Sequence, residues 1–514
     1  MPAFQKSEYQ RTRRRMTSMR LEPSEYQELK ECFQGGFTHA NAHQVGSLLT
    51  KVSSFDFTSS YPSVMVAERF PISSGVYRGS MTMEEILNNA SHYAYMFRIR
   101  LYEIQPKIDC EHPLSLSKCR IENKYNPIKQ LHPILDNGRI IMCQCLETTI
   151  TEQDLFTLSE FYSWSKEEIF DVWEYPKQYL PTNFVLAILK LYKDKTELKD
   201  VEGREVDYQV AKGMLNSAYG MTVTDIVREA LYYDDEHTDR RGNHQPFFSN
   251  YDLMKEHSEG KKEVYDEMYD VFLKEQISKY NNNPYRFLFY AWGVWVTAYA
   301  RRNLFTGIKE CGNDYVYSDT DSIKLLHLSE HQEYFNAYNE EISMKLRKAC
   351  EYHKIDFELT RPKNKKGVEK PLGIWEYEGT YDEFKTLGAK RYLWRKGMKW
   401  NLTCAGVNKY SGMEYLHAKA QRWNCAASTP VDKYYTPFDF FTLEPTPLVV
   451  PAEWSGRNVL TYLDETKSGE VTDYLGKTIH FSELSGIHME STEYSLDPMK
   501  SFLNYLFQIK EDSW

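Results

Sequence analysis

Asp319 and Asp321, in the stretch Tyr317-Ser318-Asp319-Thr320-Asp321-Ser322, are the residues of this chain best placed to do chemistry. Asp314-Tyr315-Val316 precedes them and Ile323-Lys324-Leu325-Leu326 follows, so the stretch reads as strand, tight turn and strand. Residues i and i+2 of an extended segment share a face, which would point both carboxylates the same way. Two carboxylates that close repel unless a cation lies between them. Mg²⁺ suits the place, because one or two carboxylates plus substrate phosphates hold it. An isolated Asp-Thr-Asp is equally an Asx-type turn at a hairpin tip. Other stretches decide the matter by supplying further parts of one reaction.

Lys51-Val52-Ser53-Ser54-Phe55-Asp56 reads as a strand ending in a third carboxylate. Phe57-Thr58-Ser59-Ser60-Tyr61-Pro62-Ser63 then turns the chain into a helix, with Ser60 or Tyr61 near the cap and Pro62 in the first turn. The backbone N–H groups of residues 58–61 would be free to bind anionic oxygens. A capped strand–helix junction without a ligand has the same local pattern. A lysine-bearing helix over 183–199 (Lys190, Lys193, Lys195, Lys199) is followed by a break at Gly203 and a second helix, about Glu205 to Gly220. Lys212, Asn216 and Tyr219 fall on one stripe of it and Val206, Val210 and Met214 on another, which is expected to face a core. A Lys for phosphate, an amide and an aromatic ring would hold a nucleoside triphosphate, and an exposed amphipathic face reads the same way. In Thr386-Leu387-Gly388-Ala389-Lys390-Arg391-Tyr392-Leu393-Trp394, basic and aromatic residues alternate, as phosphate and stacking contacts to a nucleic-acid strand require.

The elements that must position these residues are read more coarsely. At 514 residues several domains are expected. Aromatics make up 15%, which suits stacking surfaces as well as large cores. Formal charge is −10, against non-specific coating of nucleic acid but compatible with a locally basic channel. Residues 225–270 are acid-rich, whereas 361–370 and 385–399 are basic and, taken alone, solvated faces. Residues 1–30 are polar, basic and short of apolar periodicity. Phe33-Gln34-Gly35-Gly36-Phe37 offers either a tight turn or a close backbone approach. Leu135-Asp136-Asn137-Gly138-Arg139 is hairpin-like, with Asn-Gly favouring a type I′ turn. An aromatic helix, about Phe287 to Lys309, should pack beneath the Asp319/Asp321 hairpin, and an amphipathic helix, Met499 to Lys510, should close the chain. No apolar run reaches the roughly 18 residues of a membrane span. The nine cysteines show no regular framework, in keeping with a reducing, cytoplasmic compartment. Cys143 and Cys145 share a strand face, and Cys110, His112 and Cys119 suggest zinc without a fourth ligand.

Together the stretches describe two-metal nucleotidyl transfer, and their order is specific. The chain resembles family B DNA polymerases of the protein-primed branch found in bacteriophages and adenoviruses. Asp56-x-x-Ser59-x-Tyr61-Pro62-Ser63 is similar to the D-x-x-S-L-Y-P motif, with Ser60 for Leu. Lys212-x-x-x-Asn216-Ser217-x-Tyr219-Gly220 and Tyr317-x-Asp319-Thr320-Asp321-Ser322 are similar to the second and third motifs. Lys390-x-Tyr392 resembles the K-x-Y motif and Phe33-x-Gly35-Gly36 the Y-x-G-G loop, with Phe for Tyr.

The resemblance implies an α+β right hand of palm, helical fingers and small thumb with two insertions. Its divisions would be 1–62 (arm and first palm part), 63–180 (insertion contacting a terminal protein), 181–221 (fingers), 222–285 (processivity and strand-displacement insertion), 286–402 (second palm part) and 403–514 (thumb). It implies template-directed addition of deoxynucleotides to a 3′-hydroxyl, with Asp56, Asp319 and Asp321 catalytic. Asp56, Asp321 and the backbone of Phe57 would hold two Mg²⁺ ions, with Mn²⁺ as a substitute. Tyr61 would lie under the sugar and exclude a 2′-hydroxyl, Lys212 would bind the triphosphate, and Asn216 and Tyr219 would sit at the nascent base pair. Gly35, Gly36, Thr320, Lys390 and Tyr392 would contact primer and template. Partners implied are primer-template DNA, deoxynucleoside triphosphates and a terminal protein, for a monomer in a host cytoplasm and without a membrane.

Two features test the resemblance. Such polymerases begin with a 3′–5′ exonuclease domain, whereas only Glu8, Glu22, Glu25, Glu28 and Glu31 precede Asp56 as acids here, so no nuclease activity is expected of this chain. A catalytically dead scaffold would not keep all three carboxylates. A reverse transcriptase or nucleotide cyclase would not share the Lys212–Gly220 helix.

Overall fold

The computed structural model describes residues 3–121, 133–234, 236–239, 241–245, 247–426, 430, 433–443, 447–462, 469–472, 478–481, 487–496 and 500–511. Its organising element is a seven-stranded antiparallel sheet in the order Thr38–Ala40, Tyr315–Asp319, Ser322–Leu325, Leu49–Phe57, Trp375–Gly388, Arg391–Lys396, Lys399–Cys404. Strands far apart in sequence are therefore interleaved, and the register sets up the site. One row across the sheet reads Thr38, Asp319, Ser322, Asp56, Glu376. Residues directly opposite in a ladder share a face, so strands some 260 residues apart in sequence (Asp56 and Asp319) deliver their carboxylates to one side of one sheet.

Beneath the sheet runs the aromatic helix, Tyr290–Cys311, three residues later at its start than expected from the apolar run. Phe287 lies outside it and is exposed. The helix is buried almost all round. Leu304, Phe305 and Ile308 pack with Phe55, Tyr315 and Ile323 under the seven-stranded sheet, while Trp292 and Trp295 face a second cluster with Met65, Tyr175 and Leu189. Its polar groups are satisfied: Trp292 and Trp295 donate to the Pro71 carbonyl and Glu152, and Arg301 pairs with Asp154 at 2.6 Å.

Residues 64–180 build a separate eight-stranded sheet around Lys166–Gln178, Tyr93–Pro106 and Arg139–Thr151. The Ile134–Asp136 strand joins Arg139–Thr151 through Asn137 and Gly138, both at positive φ (44° and 85°), as a type I′ turn requires. Cys143 and Cys145 both lie on that second strand, buried and reduced.

One expectation needs correction here, for the helix Glu205–Gly220, and two other regions take definite form. Residues 1–30 contain two packed helices, Ala3–Ser18 and Pro23–Cys32. The apolar residues Met16, Tyr26 and Leu29 of the helices, with Met19 in the link between them, meet the core, so a search for sustained periodicity passes over them. In the helix Glu205–Gly220, Val206, Val210 and Met214 are exposed, and Ala211 and Leu215 make the buried face. Small Ala211 lets this helix approach closely, which the larger apolar side chains on the opposite stripe obscured. Cys110, His112 and Cys119 do not form a ligand trio. Among the described residues the group so arranged is His39, Glu111 and Asp136. The last helix is Lys500–Glu511, and no helix among the described residues is long and apolar enough to cross a membrane.

Candidate active site

Asp319 ends its strand, Thr320 takes φ 59°, and the Asp321 N–H donates to the Asp319 carbonyl at 2.6 Å. The two aspartates are thus placed by a tight turn and not by strand alternation, which corrects the extended reading. The Phe33–Phe37 loop holds this turn. The Thr320 N–H donates to the Phe37 carbonyl at 2.6 Å, and a Cβ on Gly36 would meet Thr320 Oγ1 at 2.6 Å. Neither Gly35 nor Gly36 has positive φ. Close approach is therefore the reason for a glycine at 36, and Arg301 secures the loop through the Gln34 and Gly35 carbonyls.

Asp56 follows on the neighbouring strand, and the Phe57 N–H donates to the Asp321 carbonyl at 2.7 Å, fixing the two metal-ligand candidates to each other. Burial and then the Asp321 charge push the Asp56 carboxyl up to about 8. Burial and then Asp319 push Asp321 up to about 6. Lys195 and Lys324 offset only part of this rise, so carboxylate charge is in excess here, and the donor set, Asp56, Asp321 and the Phe57 backbone, is all oxygen. That set fits Mg²⁺. Asp319 lies two strands from Asp56, roughly 10 Å at the backbone, and is held elsewhere: it accepts from Thr38 Oγ1 at 2.8 Å and from Lys390 Nζ at 2.6 and 2.9 Å. Lys390 sits in a turn at φ 53° with its N–H on the Tyr317 hydroxyl, and Tyr392 meets Tyr317 edge-on at 5.0 Å.

The helix after Asp56 is Ser60–Ala67, preceded by Ser59 in the left-handed region, which takes the cap position one residue earlier than expected but makes no side-chain capping bond. Thr58 is not free, since its N–H donates to the Ile374 carbonyl at 3.0 Å. The first-turn N–H groups that remain have no acceptor within the helix. Tyr61 leans on Tyr219, ring centroids 4.3 Å apart, so the two motifs meet as one aromatic surface. Lys212 and Asn216 stand exposed on the same helix as Tyr219.

Sequence reading missed two lysines at the site. Lys195 donates to Ser59 Oγ at 2.8 Å, and burial, then the neighbouring Lys212 and Lys199 charges, lower its pKa. Lys324, 4% exposed, donates to Ser322 Oγ at 3.2 Å between the two aspartate-bearing strands. A lysine within the apolar run Ile323–Leu325 was the available signal for the second. A cleft of about 560 Å³ opens from Asp56 and Ser59 past Lys195 to Lys365, Lys366 and Lys370, so the basic stretch 361–370 is more than a solvated face. A larger cavity, about 690 Å³ near Asp225 and Arg286, holds none of the candidate side chains.

Residues 4–285 match the family described as DNA polymerase type B, organellar and viral. The chain belongs to that family. DNA polymerases of Bacillus phages Nf and B103 are each 23% identical to it, over 369 and 367 residues, or 71% of this chain and 49% of theirs. The chain thus spans about half the length of these type B relatives. Phi29 DNA polymerase in an orthorhombic crystal form matches with a TM-score of 0.50 at 16% identity, covering 93% of this chain and 64% of that one. Its binary complex with primer-template DNA matches with a TM-score of 0.52, also at 16% identity, over 93% and 63%. The α+β right-hand fold expected from the motifs is therefore the type B polymerase fold.

Proposed function

We propose that the chain is a template-directed DNA polymerase that adds deoxynucleotides to a 3′-hydroxyl, in protein-primed replication. The observation that carries this is the row Asp319–Ser322–Asp56, with Asp321 above it and a lysine-lined cleft beside it. Asp56, Asp321 and the Phe57 carbonyl would hold two Mg²⁺ ions, which when bound would supply activation of the primer hydroxyl and charge neutralisation at the leaving pyrophosphate. Asp319 and Lys390 form an ion pair that faces the primer terminus. Lys212 and Lys195 bind the triphosphate, while Asn216 and Tyr219 contact the nascent pair and Tyr61 lies under its sugar. Gly35 and Gly36 set the turn, and Thr320, Lys390 and Tyr392 touch DNA.

In this reading residues 1–62 and 286–402 make the palm, 181–221 the fingers and 403–514 the thumb. Residues 63–180 face a terminal protein and 222–285 the DNA. The protein acts as a monomer, with primer-template DNA, deoxynucleoside triphosphates and a terminal protein as partners. Extension of a labelled DNA primer, with and without Mg²⁺, tests the proposal. Template-directed growth is expected that requires the ion and is absent from Asp321→Ala. Growth that survives that substitution, or no growth at all, overturns it.

A further inference from the structure

A second charged cluster lies outside this site. His39 comes from the first palm strand, Glu111 from the loop after Tyr93–Pro106, and Asp136 from the end of Ile134–Asp136. Their exposures are 3%, 0% and 1%, and one donor atom from each lies within 4.8 Å of the others. Glu111 stands 2.9 Å from His39 Nδ1 and also accepts from the Tyr315 hydroxyl at 3.2 Å and the His112 N–H at 2.8 Å. It is therefore fully engaged and orients the imidazole.

The other side of the ring is different. His39 Nε2 and Asp136 Oδ1 face each other at 3.9 Å, and neither has a hydrogen-bond partner among the described residues. That distance is too long for a hydrogen bond, and an unpartnered buried pair is costly. Two metal–ligand bonds of about 2.0–2.2 Å reach across it. A carboxylate behind an imidazole, with the far nitrogen free, is also how metal-bound histidines are oriented. His112, 1% exposed and next in sequence to Glu111, has no partner at either ring nitrogen among the described residues, but it lies outside this three-residue group.

We propose that His39 and Asp136, with Glu111 as the third member of the group that orients the imidazole, bind a divalent transition metal of the Zn²⁺ type. Imidazole with carboxylate selects such ions, in contrast to the all-oxygen set at Asp56 and Asp321. The ion is structural. His39 pairs with Ser318, the residue before Asp319, and the Tyr315 hydroxyl bridges Ser318 Oγ at 2.8 Å to Glu111. Metal here would tie the inserted sheet to the strand that carries Asp319. The competing occupant is a proton, giving an imidazolium between two carboxylates, with buried Arg139 as the other cation of the cluster.

Co²⁺ titration of the metal-stripped full chain, read by visible absorption, separates the two. One equivalent should give a ligand-field band that Zn²⁺ displaces, that Asp56→Ala retains, and that Asp136→Asn and His39→Gln lose. Zn²⁺ should raise the Tm of the unmodified protein and of Asp56→Ala alike. Should a variant fail to fold, the unmodified Co²⁺ protein still decides, since coordinated histidine gives a paramagnetically shifted imidazole N–H resonance. No band, no shifted resonance, or a band unchanged in Asp136→Asn leaves the proton as occupant and overturns the site.

Discussion

Two places in this molecule take carboxylates out of water, and they do so in opposite ways. At the candidate site Asp56 and Asp321 are crowded together, but a lysine-lined cleft opens directly onto Asp56. Where the eight-stranded sheet meets the seven-stranded sheet and the N-terminal helices, Glu111, Asp136 and Glu25 are each 1% exposed or less. Open acids can be neutralised by an ion or substrate that comes and goes. Sealed acids need a permanent partner, or they cost stability for as long as they stay charged.

The sharpest separation comes from removing charge at the open site. Asp56→Ala or Asp321→Ala should lower single-nucleotide incorporation by about 10³-fold or more, with DNA binding and Tm retained, because neither carboxylate makes a stabilising ion pair. A large loss of Tm would place these acids with the sealed group. Next in size is Lys195→Met, which removes the cation beside Ser59 at the mouth of the cleft. The KM for nucleotide should rise by about 10²-fold, with primer-template affinity unchanged in a gel-shift titration. If DNA affinity falls in parallel, the lysine serves the nucleic acid and not the triphosphate.

How much of this was legible depends on how each site is built. The candidate site could be read as a grouping because each strand or helix end brings its residues in a short stretch: Asp56 to Ser63, Lys212 to Gly220, Asp319 to Ser322. The fold followed from the family that those stretches resemble, and the interleaved sheet is what brings them together. The sealed cluster was not readable. His39, Glu111 and Asp136 come one at a time from separate elements, with no spacing to connect them, and Cys110 and Cys119 diverted attention from Glu111. The exposed Val206, Val210 and Met214 misled for a related reason. Periodicity finds an apolar stripe, but whether a stripe is buried depends on a neighbour the sequence does not reveal.

Tyr61 tests whether the open site is also shaped. Its ring lies against Tyr219 at 4.3 Å, so both χ angles are restrained by a partner from another motif. Tyr61→Val should relax discrimination against ribonucleotides by about 10-fold or more, measured as the ratio of single-turnover efficiencies. An unchanged ratio would leave Tyr61 as a packing residue alone.

The smallest effect probes the sealed acids directly. Glu25 accepts from the Tyr175 hydroxyl at 2.9 Å and from the Glu22 N–H at 3.0 Å, yet no cation pairs with it, and burial pushes its carboxyl up to about 7. Because the folded value lies above the unfolded one, the folded state holds the proton more tightly. Stability from this group is greatest below about pH 4.5 and declines as pH rises through 7. The full difference is worth on the order of 3 kcal/mol, a few degrees of Tm in a chain of this size. Glu28, pushed up to about 7 by burial and then by Asp171, titrates in the same window. Glu25→Gln should therefore flatten, without abolishing, the fall in Tm between pH 5 and pH 8, while the amide oxygen keeps the Glu22 contact. Thermal melts of both proteins across that range provide the check. An identical slope in the variant would mean that Glu25 keeps its charge at little cost, and that the line drawn between open and sealed acids does not hold at this position.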